Sequence, residues 1–150
     1  MPPPSMMIDP RGPRFGAWVT TVVLSAVLLT GSGWLLVGQA AVFAAGALAG
    51  LRFAPYGLLY RYLVRPLLGP PTELEDEAPP RFAQGVGLAF ALAGTAGYLT
   101  GVTPVAVLAT AAALAAAFLN AAFGLCLGCE MYLILLRLRS RRSTHKGAPA

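Results

Sequence analysis

Charge is scarce in this sequence of 150 residues. Asp, Glu, Lys and Arg make up 11% of it, whereas a soluble domain carries about 25%. Residues 15–51 and 82–129 contain no charged side chain, and 57% of all residues are hydrophobic. This composition excludes a soluble enzyme. A mean hydropathy of +0.67 also excludes an intrinsically disordered chain, because low hydrophobicity is the signature of disorder.

The two uncharged runs are each about twice as long as one membrane span, which needs about 20 apolar residues. As helices they would extend about 55 and 72 Å, and two crossings need about 60 Å. Each run therefore predicts a hairpin of two spans. We expect the turns at Gly31-Ser32-Gly33 and Gly101-Val102-Thr103-Pro104, because glycine lets a chain reverse without steric cost. The predicted spans are about 15–32, 34–53, 82–100 and 104–125.

The basic residues indicate the orientation of these spans. They occur in the N-terminal segment, the central loop and the C-terminal tail, and both predicted turns lack them. With four spans all three regions lie on one side, which the positive-inside rule makes cytoplasmic, so both termini are expected there. A cleaved signal peptide with an apolar core at residues 15–30 is the alternative, and it would leave the basic tail on the wrong side.

Two short motifs recur with an offset of 67 residues: Pro13-Arg14-Phe15 as Pro80-Arg81-Phe82, and Tyr56-Gly57-Leu58 as Phe123-Gly124-Leu125. Chance is the alternative explanation for such short matches. If the chain is duplicated, both copies cross the membrane twice and point the same way, as parallel repeats do.

The predicted fold is thus a single all-α integral membrane domain over residues 1–150, with four transmembrane helices as two tandem hairpins. Each hairpin is followed by a cytoplasmic amphipathic helix at the interface, at about 56–68 and 127–139. We expect Pro66 and the prolines after it to end the first of these helices. The ends, 1–7 and 140–150, are predicted to be disordered.

Cys126, Cys129 and Glu130 form the motif with the most chemical content. Cysteines three apart on a helix share a face and lie within disulfide range. A C-x-x-C at a helix start can hold a reactive thiolate, and Glu130 could accept a proton or disfavour that thiolate. We take these three residues as candidate catalytic residues. Two inert buried thiols are the equally open alternative.

Other features carry weaker signals. Three Gly-x-x-x-Gly pairs, at 46/50, 97/101 and 124/128, predict close helix packing, which would leave the thiols facing away from the Gly124 and Gly128 side. Asn120 is expected to bond between helices, with substrate contact as the lesser alternative. The acidic cluster at 73–77 indicates either a solvated loop or a patch on which a partner docks. One C-x-x-C and one histidine are weak for zinc, and no metal, cofactor or nucleic acid is expected.

Several segments resemble an uncharacterised family of bacterial integral membrane proteins, domain of unknown function 4395, over about residues 8–137. The last segment leads into Cys-Leu-Gly-Cys-Glu and is the most specific. The segments are Ile8-Asp9-Pro10-Arg11, Arg14-Phe15, Tyr56-Gly57-Leu58-Leu59, Pro71-Thr72-Glu73-Leu74-Glu75-Asp76, Pro79-Pro80-Arg81-Phe82-Ala83-Gln84 and Phe118-Leu119-Asn120-Ala121-Ala122-Phe123-Gly124.

The resemblance implies no activity of its own. It does imply a bacterial inner membrane and a neighbourhood of thioredoxin-like proteins and rhodanese-type sulfurtransferases. Together with the paired thiols, this favours a membrane protein that exchanges electrons or sulfane sulfur with such a partner at the cytoplasmic edge. The alternative is a non-catalytic membrane anchor with inert cysteines. Four short spans enclose little volume, which is compatible with a homodimer.

Overall fold

The computed structural model describes residues 6–145, which are almost entirely helical. The all-α class predicted from the sequence is therefore confirmed. Two short strands, β1 (Met7–Ile8) and β2 (Glu75–Asp76), pair in antiparallel register. The helices are α1 (Arg11–Thr30), α2 (Gly33–Ala44), α3 (Pro55–Leu59), α4 (Arg65–Leu68), α5 (Ala78–Thr100), α6 (Thr103–Phe123) and α7 (Leu127–His145).

Both hairpin turns lie where the glycines predicted them. Gly31 ends α1 with a φ of +65°, and Gly101 ends α5 with a φ of +78°. The Ser32 hydroxyl then accepts the backbone N–H of Leu35 and caps α2. Pro104 lies in the first turn of α6, where its missing N–H costs nothing.

Three helices of the described part, α1, α5 and α6, are long and apolar enough to cross a membrane. The fourth predicted span is shorter: α2 has 12 residues and continues as a π-helical turn of 5 residues over Ala45–Ala49. Many large apolar side chains point away from the protein, such as Val22 (66% exposed) and Leu108 (70% exposed). Long helices with such outer faces indicate a membrane protein.

The two hairpins pack against each other reciprocally, with α1 on α6 and α2 on α5. Leu24 and Val27 of α1 and Leu36 of α2 are fully buried where the helices meet, together with the smaller Ala91 and Ala113. Small core residues let helix backbones approach closely, which is the usual way helices associate in lipid.

Two arginines join the hairpins at one end of the bundle. Arg14 at the start of α1 donates to the carbonyls of Ala121 and Ala122 at 3.1 and 3.3 Å. Arg81 at the start of α5 donates to those of Ala47 and Leu48, both at 2.8 Å. Each arginine thus satisfies carbonyls that a helix end leaves without a partner. We call this end, which carries Arg14 and Arg81, the basic end.

The predicted Gly-x-x-x-Gly seams are only half correct. Gly46 and Gly97 face side chains or backbone of a neighbouring helix, but Gly50, Gly101 and Gly124 have positive φ and end helices. A glycine that ends a helix cannot also extend its packing face. On α5 the close approaches are instead made by Gly87, Gly94 and Gly97, against Phe43, Leu36 and Ala106.

The amphipathic segment after α2 has about the predicted extent, 56–68, but Pro66 does not break it. Pro66 was expected to end it, yet α3, a π-helical turn over Tyr60–Val64 and α4 follow without interruption to Leu68. Proline cannot donate a helical hydrogen bond and its ring crowds the preceding turn. The wider π turn directly before Pro66 accommodates that misfit, and the chain leaves the helix only at Gly69, with a φ of +71°.

The predicted disorder does not hold where the ends are described. Met7 lies in β1 and residues 140–145 continue α7, while residues 1–5 and 146–150 lie outside the described residues. β1 is held because the acidic loop pairs with it and Glu77 donates its N–H to the Met6 carbonyl. Part of the acidic cluster is therefore structural: Asp76 accepts the Ala78 N–H and buried Glu77 accepts the Leu51 N–H.

Candidate functional site

A sharp break between α6 and α7 places the two cysteines. Gly124 adopts a φ of +69°, and its N–H and that of Leu125 bond back to Asn120 and Leu119. Left-handed glycine is a common helix terminator. The sequence predicted a span to about residue 125 and a second helix from about residue 127, and the structure has α6 ending at Phe123 and α7 beginning at Leu127. A single helix that carries both Gly124 and Gly128 on one packing face is therefore not formed.

Cys126 therefore lies at the start of a helix. Its sulfur accepts the backbone N–H of Cys129 at 3.3 Å, and its carbonyl accepts that of Glu130 at 3.0 Å. This is the position of an N-cap residue, whose side chain satisfies an N–H that the first helical turn leaves free. The same N–H groups and the helix dipole would stabilise a negative charge on this sulfur.

The structure joins Cys126 and Cys129 in a disulfide, with their Cα atoms 5.2 Å apart. Both residues are half-buried, whereas Glu130 is exposed. The Glu130 carboxylate makes no side-chain hydrogen bond to the described residues, so its predicted action on the thiols stays a prediction. The two sulfurs are brought together as their spacing predicted.

Helix α7 is fixed against α5 by a glycine and an aromatic pair. A Cβ on Gly128 would lie 2.5 Å from the Cβ of Ala83, so only glycine permits this approach. Phe82 and Tyr132 pack with their ring centres 5.6 Å apart. Gly128 thus packs as predicted, whereas Gly124 makes the turn instead.

A cavity of about 360 Å³ lies beside the disulfide. Its wall is formed by α1, α5, α6 and the start of α7, with Phe43 from α2. Cys126 contributes to one end of it, near Pro13 and Arg14 at the basic end. The wall is mostly apolar and includes Val86, Phe90, Ala113, Ala116, Leu127 and Met131.

Two residues with carboxamide side chains, Gln84 and Asn120, also line this cavity. Gln84 borders the smaller cavity described below as well, and its side chain packs against Gly46. Neither side chain has a hydrogen-bond partner within residues 6–145, so the interhelical bond predicted for Asn120 is absent there. Gln84 was not among the residues predicted from the sequence as functional. The available signal was its position directly after Pro80-Arg81-Phe82-Ala83, in the second turn of α5.

A smaller cavity of about 200 Å³ lies between α1 and the amphipathic segment. Asp9 sits in its wall, paired with Arg11 at 3.0 Å, and accepts the Tyr60 hydroxyl at 2.9 Å. Burial acts to raise the pKa of Asp9, but the hydrogen bonds from Arg11 and Tyr60 outweigh it and hold that pKa below its ordinary value. Burial and the bond to Asp9 raise the pKa of Tyr60.

Comparisons with known proteins identify one relationship. No curated protein and no solved structure is significantly similar to this chain. The model of the family described as Domain of unknown function (DUF4395) matches residues 8–137, which is most of the chain and includes both cysteines. The chain therefore belongs to the DUF4395 family.

Proposed function

We propose that this protein exchanges electrons through the Cys126–Cys129 pair with a thioredoxin-like or rhodanese-type partner at the cytoplasmic face of a bacterial inner membrane. The observation that carries the proposal is the position of Cys126 at the start of α7, with its sulfur accepting the Cys129 N–H. Reactive cysteines recur at helix starts, because the free N–H groups there stabilise the thiolate.

The proposed topology has four spans. In this arrangement α2 and its π-helical turn form a short fourth span of about 25 Å, parallel to three longer ones. The two hairpin turns then lie on one side of the membrane. The other ends of the four spans lie on the opposite side, with Arg14, Arg81 and the arginine-rich tail. The positive-inside rule makes that side cytoplasmic, which sets Cys126 level with the inner headgroups.

We also infer that the hairpins are internal repeats. The reciprocal bonds of Arg14 and Arg81 to the opposite hairpin support this, as do the ring pairs Phe15–Tyr60 and Phe82–Tyr132. The second sequence match supports it less, because Gly57 lies inside α3 whereas Gly124 ends α6. The first hairpin ends earlier, at Gly50, so an unbroken offset of 67 does not hold along the chain.

The exchange follows from thiol chemistry. A partner thiolate attacks the Cys126 sulfur, a new S–S bond forms, and Cys129 leaves as a thiolate that takes up a proton. A second partner thiol then attacks the mixed disulfide and expels the Cys126 thiolate, which the start of α7 stabilises. The partner is oxidised to a disulfide and this protein is reduced to a dithiol. A rhodanese-type persulfide would instead donate its outer sulfur to the reduced Cys126.

Trapping the first intermediate tests the proposal. Thioredoxin with its resolving cysteine replaced by serine attacks a disulfide but cannot complete the exchange. We expect it to form a stable adduct with the purified protein in nanodiscs, with mass spectrometry locating the bond at Cys126. The variants Cys126→Ser and Cys129→Ser, which lack the disulfide, serve as negative controls.

An inert structural disulfide gives the opposite pattern. It would yield no adduct in the folded protein and an adduct only after denaturation in sodium dodecyl sulfate. That result would reject the exchange reaction and favour the non-catalytic anchor.

A further inference from the structure

We propose that the cavity beside the disulfide binds a lipid-soluble quinone, which reoxidises the Cys126–Cys129 dithiol. The inference rests on the proposed function in one respect, namely that the pair cycles between dithiol and disulfide. It adds the electron acceptor that such a cycle needs.

The size and lining of the cavity suit a quinone ring. Its volume of about 360 Å³ falls within the range of about 300–1,000 Å³ that is typical of small-molecule sites, and such sites are mostly apolar with a few convergent polar groups. Phe43 and Phe90 are the aromatic residues of the lining. Arg14 also belongs to the lining, but its guanidinium already donates to the carbonyls of Ala121 and Ala122. A charged, water-soluble thiol or oxyanion would have to lose its hydration against the remaining, mostly apolar lining at considerable cost.

Two residues of the lining, Gln84 and Asn120, carry donors for the two carbonyl oxygens of a quinone. Gln84 and Asn120 each carry an amide N–H donor that has no partner in the described part of the chain. A quinone carbonyl can accept such a bond. A lipid acyl chain has no acceptor and would leave both carboxamides unsatisfied, so it fits the site less well.

A lipid-soluble occupant also has a way in. Phe90 and Met131 line the cavity and are 39% and 47% exposed, so the cavity reaches the outer surface of the bundle. Cys126 lies in the wall of the same cavity. The bound ring is thereby brought next to the sulfur that is stabilised as a thiolate.

The reaction is balanced with these groups alone. The Cys126–Cys129 dithiol gives up two electrons and two protons as its S–S bond forms. The quinone takes up both and leaves as the quinol. Electrons would thus pass from a soluble thiol partner through the cysteine pair into the membrane.

The test uses the full chain in nanodiscs, reduced with a phosphine that is then removed. Decylubiquinone is the probe, because its fully substituted ring does not alkylate thiols. We expect one quinone to be reduced for each disulfide formed, followed by quinone absorbance and by thiol counting. Formation of the disulfide by diamide, a water-soluble oxidant, is measured in parallel and is called closure by diamide. It shows whether the cysteine pair can be oxidised without a quinone site.

Two variants change the cavity and one does not. Asn120→Leu removes a carboxamide, and Ala116→Phe fills the space; we expect each to slow quinone reduction at least about tenfold and to leave closure by diamide unchanged. Thr100→Val makes a similar polar-to-apolar change at the opposite end of α5 and should behave like the unchanged protein.

The outcomes separate the two proposals. Closure by diamide without closure by decylubiquinone overturns the quinone site and leaves the thiol exchange intact. Failure of both oxidants in the folded protein overturns both. Equal quinone rates in the unchanged protein, Asn120→Leu and Ala116→Phe would mean that oxidation occurs outside the cavity, which also overturns the site.

Discussion

At the residue scale, the site depends on one backbone conformation. Gly124 ends α6 with a φ of +69°, and this turn places Cys126 at the N-cap of a new helix rather than in the middle of one. A side chain at such a φ is disfavoured, because its Cβ approaches the following carbonyl oxygen.

We therefore expect Gly124→Ala to lower the free energy of unfolding by about 1–2 kcal/mol. The matched control is Gly85→Ala, whose helical position in α5 has open space for a Cβ and should be neutral or slightly stabilising. Unfolding in mixed micelles, followed by circular dichroism, measures both. Equal stability of the two variants would show that the left-handed turn is not required.

The sequence predicted the residues of the site better than their setting. The spacing of Cys126 and Cys129 was sufficient to predict that their sulfurs meet. The length of the apolar run also predicted a new helix from about residue 127. The role of Gly124 could not be predicted, because this glycine can serve equally as a packing residue within a helix or as its terminator. Only the contacts of Arg14 with the end of α6 decide between these roles.

At the element scale, the amphipathic segment is attached to the start of α1 by side chains. Tyr60 in that segment donates to Asp9, which also binds Arg11, and Arg11 in turn donates to the Gly69 carbonyl at 3.1 Å. This network joins α1, the segment and the loop that follows it. Its strength depends on the ionised form of Asp9.

The network should weaken in acid. Because the pKa of Asp9 is lowered in the folded protein, its stabilising contribution is present above the unfolded value of about 3.9 and is lost as the pH falls through the lower folded value. We expect the protection of backbone amides over residues 55–68 from hydrogen exchange, corrected for intrinsic rates, to be constant from pH 7 to about 5 and to fall below about pH 4.

Asp9→Asn provides the control for this prediction. It keeps the shape of the side chain but removes the titrating charge, so its protection should be lower at pH 7 and change much less with acid. If the unchanged protein and Asp9→Asn lose protection in parallel, another carboxylate is responsible.

Elements were predictable where local chemistry alone decides them. The turns at Gly31 and Gly101 followed from glycine and from the length of the apolar runs. The continuation of the segment past Pro66 did not, because the π-helical turn that accommodates this proline depends on packing against α1. The break at Gly50, after the π-helical turn that follows α2, likewise involves a contact with Glu77, which comes from a distant part of the chain.

At the scale of the whole molecule, each hairpin packs against the other, with α1 on α6 and α2 on α5. This packing leaves a cavity between α1, α5 and α6. Its polar residues, Gln84 and Asn120, come from different hairpin helices and are 36 positions apart in the sequence. No sequence pattern joins them, and their place in one cavity depends on small residues, such as Gly94 and Gly97, that let α5 and α6 approach. The arrangement leaves Cys126 in the wall of a mostly apolar cavity; access of a soluble partner from the basic end is part of the proposed function.

The most direct test of this account measures which side of the membrane reaches the disulfide. Inverted and right-side-out vesicles containing the protein are treated with reduced thioredoxin, which cannot cross the bilayer, and the free thiols of Cys126 and Cys129 are then counted by mass tagging. We predict reduction in inverted vesicles and none in right-side-out vesicles until detergent is added. Reduction only from the outer face, or none from either face in intact vesicles, would contradict the account.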